Sequence, residues 1–317
     1  MMAVRIDPRK VWLPGLSLVI LLLLAVLPYL RPGYTIVLVY TILMYVVLTM
    51  SWALFSGPTG YISLAPAAFF GVGIYTSAML GKALPLPVLV CVGGLISACL
   101  ALLVGALTLR LKGIYFAFFT FGLVELMKNF VLWYEVKFSG VRGRFLVIRI
   151  DNITIYYILL AILAALLLTT YVIRRSKYGL ALQSIGQDEE AAAHTGINVT
   201  LLKVVIFAVS AIFIGAAGAI WAIRLTYIDP YIAFDALNSF MPVLMAIFGG
   251  IGQIYGPILG AAVFSYLREI LITRFPYHYM LLIGTILLVA ILFLPDGLVG
   301  LVQKWHQRAL RGQHANT

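Results

Sequence analysis

Charged residues are scarce in this 317-residue chain: they make up 10% of it, against roughly 25% in soluble globular domains. Hydrophobic residues account for 63%. This composition excludes a soluble domain and indicates an integral membrane protein. The apolar runs are long and lack the short alternating pattern of a membrane β-barrel, so they predict helices.

Cysteine and histidine are also few, with two and four residues respectively. Cys91 and Cys99 lie eight positions apart in one apolar stretch, about 12 Å along a helix, which is too far for a disulfide. The histidines show no metal-ligand spacing, and no G-x-x-x-x-G-K-[ST] loop for nucleotide phosphates occurs. We therefore predict no catalytic residues, no metal site, no cofactor bound by this chain and no ATP binding.

The apolar stretches predict an all-α, polytopic transmembrane bundle of about ten spans, within a range of eight to ten. We expect residues 1–317 to form a single transmembrane domain. The predicted spans are 12–30, 34–56, 63–81, 85–109, 114–134, 154–173, 203–224, 238–254, 256–275 and 278–302.

The formal net charge of +11 reflects Lys and Arg in the loops, as in membrane proteins whose cytoplasmic loops are basic, and we predict no nucleic-acid partner. With ten spans, most basic clusters fall on one side, which places both termini and the polar segment described below in the cytoplasm. One loop disagrees, because Lys137, Arg142, Arg144 and Arg149 then lie outside.

Two stretches are interrupted by Gly and Pro: GPTGYISLAPAAFFGVG at 57–73 and FGGIGQIYGPILGAAVF at 248–264. Broken segments at corresponding positions of two halves point to a transported ligand's site. The predicted substrate-path residues are Tyr61, Ser63, Ala65, Pro66, Phe69, Gly252 and Gly256. The alternative is close helix packing through small residues such as Gly252, Gly256 and Gly260.

One long polar segment interrupts the apolar chain: residues 174–202, RRSKYGLALQSIGQDEEAAAHTGINVTLL. Polar and apolar residues alternate there in a pattern that fits a short amphipathic helix on the membrane face, ending at Gly196. The alternative is a solvated linker. We use the name polar segment for residues 174–202 below.

Glu190, Ala191, Ala192 and Gly196 have the spacing E-A-A-x-x-x-G, which resembles the coupling motif of permease subunits in bacterial ATP-binding cassette (ABC) importers. The wider stretch 176–222 resembles the LivM-type permeases of branched-chain amino acid importers. Three further pieces agree with that family: SLAPAAFFGVGIYTSAML at 63–80, the stretch 248–264, and LPDGLVGLV at 294–302.

The resemblance implies a non-catalytic permease of the bacterial inner membrane that works by alternating access. Its partners would be two ABC ATPase subunits that use ATP, a second identical or paralogous permease, a periplasmic binding protein and the membrane lipid. Residues about 183–200 would then form a coupling helix held by the ATPase. The implied ATPase-coupling residues are Gln187, Asp188, Glu189, Glu190, Ala191, Ala192 and Gly196.

The substrate is less defined, because the family usually carries Gln, Gly and His where this chain has Tyr61, Ala65 and Pro66. Branched-chain, hydrophobic amino acids are the leading prediction. Urea, short amides or another small carboxylate are alternatives. A secondary transporter or channel is a further alternative, although the predicted spans offer few buried carboxylates or histidines for ion coupling.

Overall fold

A computed structural model describes residues 12–30, 33–146, 150–252, 255–293 and 297–300. Arg149 and the end of the tenth predicted span lie outside these described residues. The two chain ends, which were predicted to lie in the cytoplasm, are also outside the described residues.

The described residues form thirteen α-helices and one two-stranded sheet, which confirms the predicted helical bundle. The helices are α1 Trp12–Leu30, α2 Tyr34–Thr59, α3 Pro66–Leu80, α4 Leu86–Thr108, α5 Ile114–Tyr134, α6 Asn152–Arg175, α7 Lys177–Gln187, α8 Glu189–His194, α9 Val199–Ala222, α10 Pro230–Ala233, α11 Leu237–Gly249, α12 Tyr255–Arg274 and α13 Tyr279–Phe293. A π-helical turn, Glu135–Ser139, continues α5. Strands β1, Arg144–Phe145, and β2, Tyr227–Ile228, pair antiparallel.

Each predicted span coincides with one of the apolar helices, and seven helical segments of the described chain are long and apolar enough to cross a membrane. These seven are Tyr34–Thr59, Leu86–Thr108, Ile114–Ser139, Asn152–Arg175, Val199–Ala222, Pro230–Gly249 and Tyr255–Arg274. The third span is shorter than predicted. It begins at Pro66 rather than at residue 63, because proline suits the first turn of a helix and residues 60–65 are not helical.

The core of the bundle lies around α3, in which 12 of 15 residues are buried. Glycines allow the backbones of α3, α4 and α9 to approach closely. A Cβ atom added at Gly73 of α3 would collide with the Gly215 carbonyl of α9, and one at Gly218 of α9 would collide with the Phe70 carbonyl of α3. Small residues thus supply the packing that holds helices together in lipid.

The loop that follows α5, whose basic residues disagreed with the predicted orientation, lies at the end of the bundle opposite the polar segment. There Arg142 donates a hydrogen bond to Asp229 at 2.8 Å, and the Arg144 guanidinium lies 3.6 Å from the buried carboxylate of Glu135. Two of the four basic residues therefore have acidic partners in the same chain. This pairing offsets the charge of Arg142 and Arg144.

Candidate functional site

The polar segment forms two helices, α7 and α8, and not the single helix that was predicted over 183–200. The break falls at Asp188, whose backbone is extended (φ −155°, ψ 109°). Its carboxylate accepts hydrogen bonds from the backbone N–H groups of Glu190 at 2.9 Å and Ala191 at 3.1 Å. Asp188 is therefore the N-cap of α8, an arrangement that ends one helix and starts the next.

The chain turns back toward the bundle immediately after α8. Gly196 has φ +85°, in the left-handed region that favours glycine, and an added Cβ atom would meet no described atom within 4 Å. The requirement at this position is one of backbone conformation and not of space. Asn198 then caps α9 by accepting a hydrogen bond from the Leu201 N–H at 3.1 Å.

One face of α7 and α8 packs on the bundle and the other is exposed. Ile185, Ala192 and Val199 form a small buried cluster. Gly186 lies so close to the end of α2 that an added Cβ atom would collide with the Pro58 carbonyl. Of the seven predicted coupling residues, those on the exposed face are Gln187, Asp188, Glu190, Ala191 and Gly196.

Glu189 turns inward and joins a hydrogen-bonded group that we call the Lys203 cluster: Tyr61, Leu109, Glu189 and Lys203. The Lys203 Nζ donates to Glu189 Oε1 at 2.8 Å, to the Leu109 carbonyl at 3.1 Å and to the Tyr61 hydroxyl at 3.2 Å. The Tyr61 hydroxyl in turn donates to Glu189 Oε2 at 2.5 Å. All three ammonium N–H donors thus have acceptors, as burial of a charge requires.

The Lys203 cluster links four parts of the chain. Lys203, 1% exposed, belongs to the first turns of α9, Glu189 begins α8, Leu109 follows α4, and Tyr61 lies between α2 and α3. The Lys203 ammonium also lies 4.4 Å from the centre of the Tyr61 ring. A displacement of α8 would therefore act directly on the start of α9 and on the segment that leads into α3.

The charges in the cluster reinforce one another. Burial alone would raise the pKa of Glu189, but the hydrogen bonds from Lys203 and Tyr61 outweigh it and hold the pKa below its ordinary value. Burial and the neighbouring carboxylate raise the pKa of Tyr61, so its hydroxyl remains a donor. Glu189 is consequently a carboxylate at neutral pH.

Glu190, one of the implied ATPase-coupling residues, has a partner within its own chain. The Nζ atom of Lys112, in the loop between α4 and α5, donates a hydrogen bond to Glu190 Oε1 at 3.1 Å, and this bond raises the pKa of Lys112. Both side chains are largely exposed, at 80% for Glu190 and 62% for Lys112. Such an exposed pair contributes little to stability and leaves Glu190 accessible.

The first set of predicted substrate-path residues is buried beside the Lys203 cluster. Tyr61 itself belongs to that cluster and contacts Phe116, with ring centres 5.6 Å apart. Ser63, Pro66 and Phe69 line a void of only about 10 Å³, and Phe69 packs on Phe207 with ring centres 5.3 Å apart. In this state the structure leaves no room there for a solute.

The non-helical residues before α3 have their backbone groups satisfied by side chains. The Trp52 indole donates to the Ser63 carbonyl at 2.7 Å, and the Leu64 N–H donates to the Thr120 hydroxyl at 2.9 Å. The Ser239 hydroxyl donates to the Leu64 carbonyl at 2.8 Å. Ala65, also predicted in the path, is fully buried in this segment. Irregular backbone at membrane depth persists only where it is buried and paired in this way.

The second predicted broken segment divides between two roles. Gly256 packs closely, because an added Cβ atom would collide with the Gly250 carbonyl, and Gly260 likewise approaches the Met245 carbonyl. These contacts fit the alternative of close helix packing. Gly252 differs, since no described atom lies within 4 Å of its added Cβ, and it lines a cavity next to α7.

Lys203 was missed in the sequence analysis, although a signal was present. It is a lone cation at the start of a predicted apolar span. Ionisable residues in such spans usually pair with another charged group or a carbonyl and often have a function. Its partner could not be deduced from the sequence. Glu189 faces Lys203 because the helix breaks at Asp188, and that break was not predicted. The described residues contain no group of three or more His, Cys, Asp or Glu placed to hold a metal.

A family comparison gives this arrangement a context. The family described as "Branched-chain amino acid transport system / permease component" matches residues 34–292. The chain belongs to this family. The match runs from α2 into α13 and includes the polar segment, so the resemblance deduced from the sequence is confirmed.

Individual relatives of this permease fall into two groups. It is 26% identical to the high-affinity branched-chain amino acid transport system permease protein LivM of Escherichia coli K12, over 95% of this chain and 79% of that protein. It is also 31% identical to the fructose import permease FrcC of Rhizobium meliloti, over 45% of this chain and 41% of that protein, and 29% identical to the ribose import permease RbsC of Haemophilus influenzae, over 38% and 40%. No solved structure matches the chain.

Proposed function

We propose that this chain is the transmembrane permease subunit of an ABC importer and that the polar segment is its coupling element. The observation that carries the proposal is the two-sided placement of α8: Gln187, Asp188, Glu190 and Ala191 face outward, while Glu189 joins the Lys203 cluster. An ATPase that grips the exposed face would move α8, and the cluster would pass that motion to α9 and to the segment before α3.

The remaining parts of the importer follow from the family. We infer two ATPase subunits that hydrolyse ATP, a second permease, a periplasmic binding protein, and a location in the bacterial inner membrane with the polar segment and both termini in the cytoplasm. The chain itself would act as a single permease domain without catalysis. Tyr61, Ser63, Ala65, Pro66, Phe69, Gly252 and Gly256 remain candidates for the substrate path.

Branched-chain amino acids are the proposed cargo, because the relative named for them, LivM, matches 95% of this chain. A sugar such as ribose or fructose is the second candidate, since permeases named for these sugars match part of the chain.

Reconstitution into proteoliposomes tests the proposal. With the ATPase pair, second permease and binding protein present, we expect ATP-dependent uptake of radiolabelled L-leucine that exceeds uptake of D-ribose. The inverse preference would support the sugar alternative. Full uptake by vesicles that lack the ATPase subunits would contradict the importer assignment altogether.

Labelling tests the orientation. Ala191→Cys is introduced into a chain in which both native cysteines are replaced, and a membrane-impermeant maleimide is applied from either side. We expect Ala191→Cys to react from the cytoplasmic side and to be protected when the ATPase binds. Ala192→Cys is the matched control, because Ala192 is 3% exposed and its thiol should remain unlabelled. Reaction of Ala191→Cys from the periplasmic side alone would overturn the proposed coupling role.

A further inference from the structure

A cavity of about 470 Å³ lies beside the polar segment, at the junction of α2, α6, α7 and the turn that follows α11. Its volume falls within the range of about 300–1,000 Å³ that is usual for small-molecule sites. Much of its wall is backbone, because Gly57, Gly60, Gly186 and Gly252 contribute no side chain. The two stretches interrupted by Gly and Pro therefore meet α7 at this cavity.

Arg174 is the charged residue among those that line the cavity, and no acidic residue lines it. Within the described residues, Arg174 forms no ion pair or hydrogen bond, and Gln183 and Gln187 add amide groups to the same wall. A half-buried cation without a partner carries a cost that a bound anion would offset. The planar guanidinium matches a carboxylate in particular, because it can donate two parallel hydrogen bonds.

A simpler account is that Arg174 stabilises the C-terminus of α6 through the helix dipole. That account applies equally to Arg175, which is also in the last turn of α6. The two residues differ in surroundings: the Arg175 guanidinium lies 4.5 Å from the ring centre of Tyr171 and does not line the cavity. The dipole therefore does not explain why a cation is placed against a cavity with no anion.

We propose that this cavity is a binding site for a small carboxylate, with Arg174 as its counter-ion. A ligand held there would contact α6 and α7 on one side and the ends of α2 and α11 on the other. It would thereby resist any movement of the polar segment relative to the bundle, so a carboxylate accumulating on this side would slow the transport cycle. This regulatory consequence rests on the proposed function, whereas the binding site does not.

Binding is measured on the full chain in lipid nanodiscs, without ATPase or binding protein, by isothermal titration calorimetry. The probes are L-leucine, 4-methylpentanoate, which keeps the carboxylate and lacks the amine, and L-leucinol, which keeps the amine and lacks the carboxylate. We expect the first two to bind and L-leucinol to bind at least about tenfold more weakly, as the loss of a charge-assisted hydrogen-bond pair implies. Binding of L-leucine without 4-methylpentanoate would identify the amino acid, and binding of both would identify any small carboxylate of that shape.

Two variants locate the site. Arg174→Gln should abolish carboxylate binding, whereas Arg175→Gln removes the same charge from the same helical turn and should leave it unchanged. Gly252→Leu should also abolish binding by filling the cavity, and it leaves Arg174 in place, so it decides the matter if Arg174→Gln fails to fold.

Three results would overturn the proposal: no carboxylate binding by the natural chain, equal binding of L-leucinol, or equal loss of binding in Arg175→Gln. None of them bears on ATP-driven uptake, which is measured separately with the partner subunits. Failure of the carboxylate site and failure of the importer assignment are therefore distinguishable.

Discussion

Lys203 ties the start of α8 to the bundle through its ion pair with Glu189. Replacing it with Met removes the cation from a buried group and leaves the Glu189 carboxylate beside the Tyr61 hydroxyl without compensation. We expect Lys203→Met to destabilise the protein by roughly 1–3 kcal/mol, since an unpaired buried polar group costs about that much. The thermal unfolding midpoint in detergent measures this loss, and ATP-driven uptake should fall more steeply because α8 is no longer tied to α9.

The double variant Lys203→Met with Glu189→Leu is the control for that result. Because it removes both charges, it should recover part of the lost stability while uptake stays low. Lys112→Met is the matched single change at the exposed Glu190 pair and should have little effect on unfolding. Equal effects of Lys112→Met and Lys203→Met would show that burial of the cluster does not matter.

The pKa of Glu189 predicts how the Lys203 cluster responds to acid. Because the folded protein holds this pKa below its ordinary value of about 4.5, the carboxylate binds protons less readily in the folded state than in the unfolded one. Its contribution to stability is therefore fully present above that ordinary value and is lost as the pH falls through the lower folded pKa. The difference in unfolding midpoint between the natural chain and Glu189→Gln should be constant near neutral pH and shrink below about pH 4.5. A difference that shrinks between pH 8 and 6 would contradict this assignment.

Gly196 provides a test that separates backbone conformation from side-chain space. Gly196→Ala forces a residue with a Cβ atom into φ +85°, at a cost of roughly 1–2 kcal/mol, and should lower uptake without preventing membrane insertion. Gly196→Asn should retain more activity, because Asn adopts the left-handed region more readily. Gly122→Ala is the matched control: it also has open space but lies outside the left-handed region. The interpretation fails if the Ala and Asn variants at 196 behave alike.

At the scale of elements, α3 and α9 depend on glycine at their contact. Gly73→Leu would drive a side chain into the Gly215 carbonyl, and a backbone atom cannot move aside as a flexible side chain can. We expect a sharp loss of folded protein, measured by size-exclusion chromatography and the unfolding midpoint. Gly122→Leu on α5 is the control, because no described atom lies within 4 Å of its added Cβ and folding should be retained. Comparable losses in both variants would contradict the role of close backbone approach.

Apolar periodicity predicted the helices well, and it predicted the breaks between them less well. The span starting at residue 63 begins at Pro66 because Trp52, Thr120 and Ser239 pair with the backbone before it, and these residues are distant in sequence. The polar segment divides at Asp188 because this residue is the N-cap of α8. The amphipathic pattern continues across Asp188, and for that reason it predicted a single helix. Local capping could have been predicted from the sequence, whereas tertiary pairing could not.

At the scale of the whole molecule, charge is distributed differently at the two ends of the bundle. At the polar-segment end, acidic residues of α8 meet Lys112 and Lys203. At the opposite end, Arg142 is paired with Asp229. Counting basic residues in the sequence could not show these pairings, because Lys112 and Glu190 lie 78 positions apart in the chain and Arg142 and Asp229 lie 87 positions apart. The net positive charge alone therefore overstates how basic the opposite end is.

The interior of the molecule is closed where the substrate path is proposed, and Phe207 is central to that closure. Its ring lies 4.9 Å from Phe55, 5.3 Å from Phe69 and 6.0 Å from Phe116, measured between ring centres. Transport along this route requires the Phe69 and Phe207 rings to separate, because the void that Ser63, Pro66 and Phe69 line holds only about 10 Å³. That volume is about the smallest that can hold one water molecule.

Phe207→Ala should therefore open the closed route without any ATPase. We expect passive leakage of L-leucine from vesicles that contain the permease alone, together with a destabilisation of about 3–5 kcal/mol from the cavity that is created. Phe264→Ala is the control, because Phe264 is equally buried but its ring packs on that of Phe248 and not on the ring of Phe69 or Phe207. It should lower the unfolding midpoint by a similar amount and produce no leak. A leak of equal size in both variants would mean that loss of packing alone makes the bundle permeable, and the path would then have to be sought elsewhere.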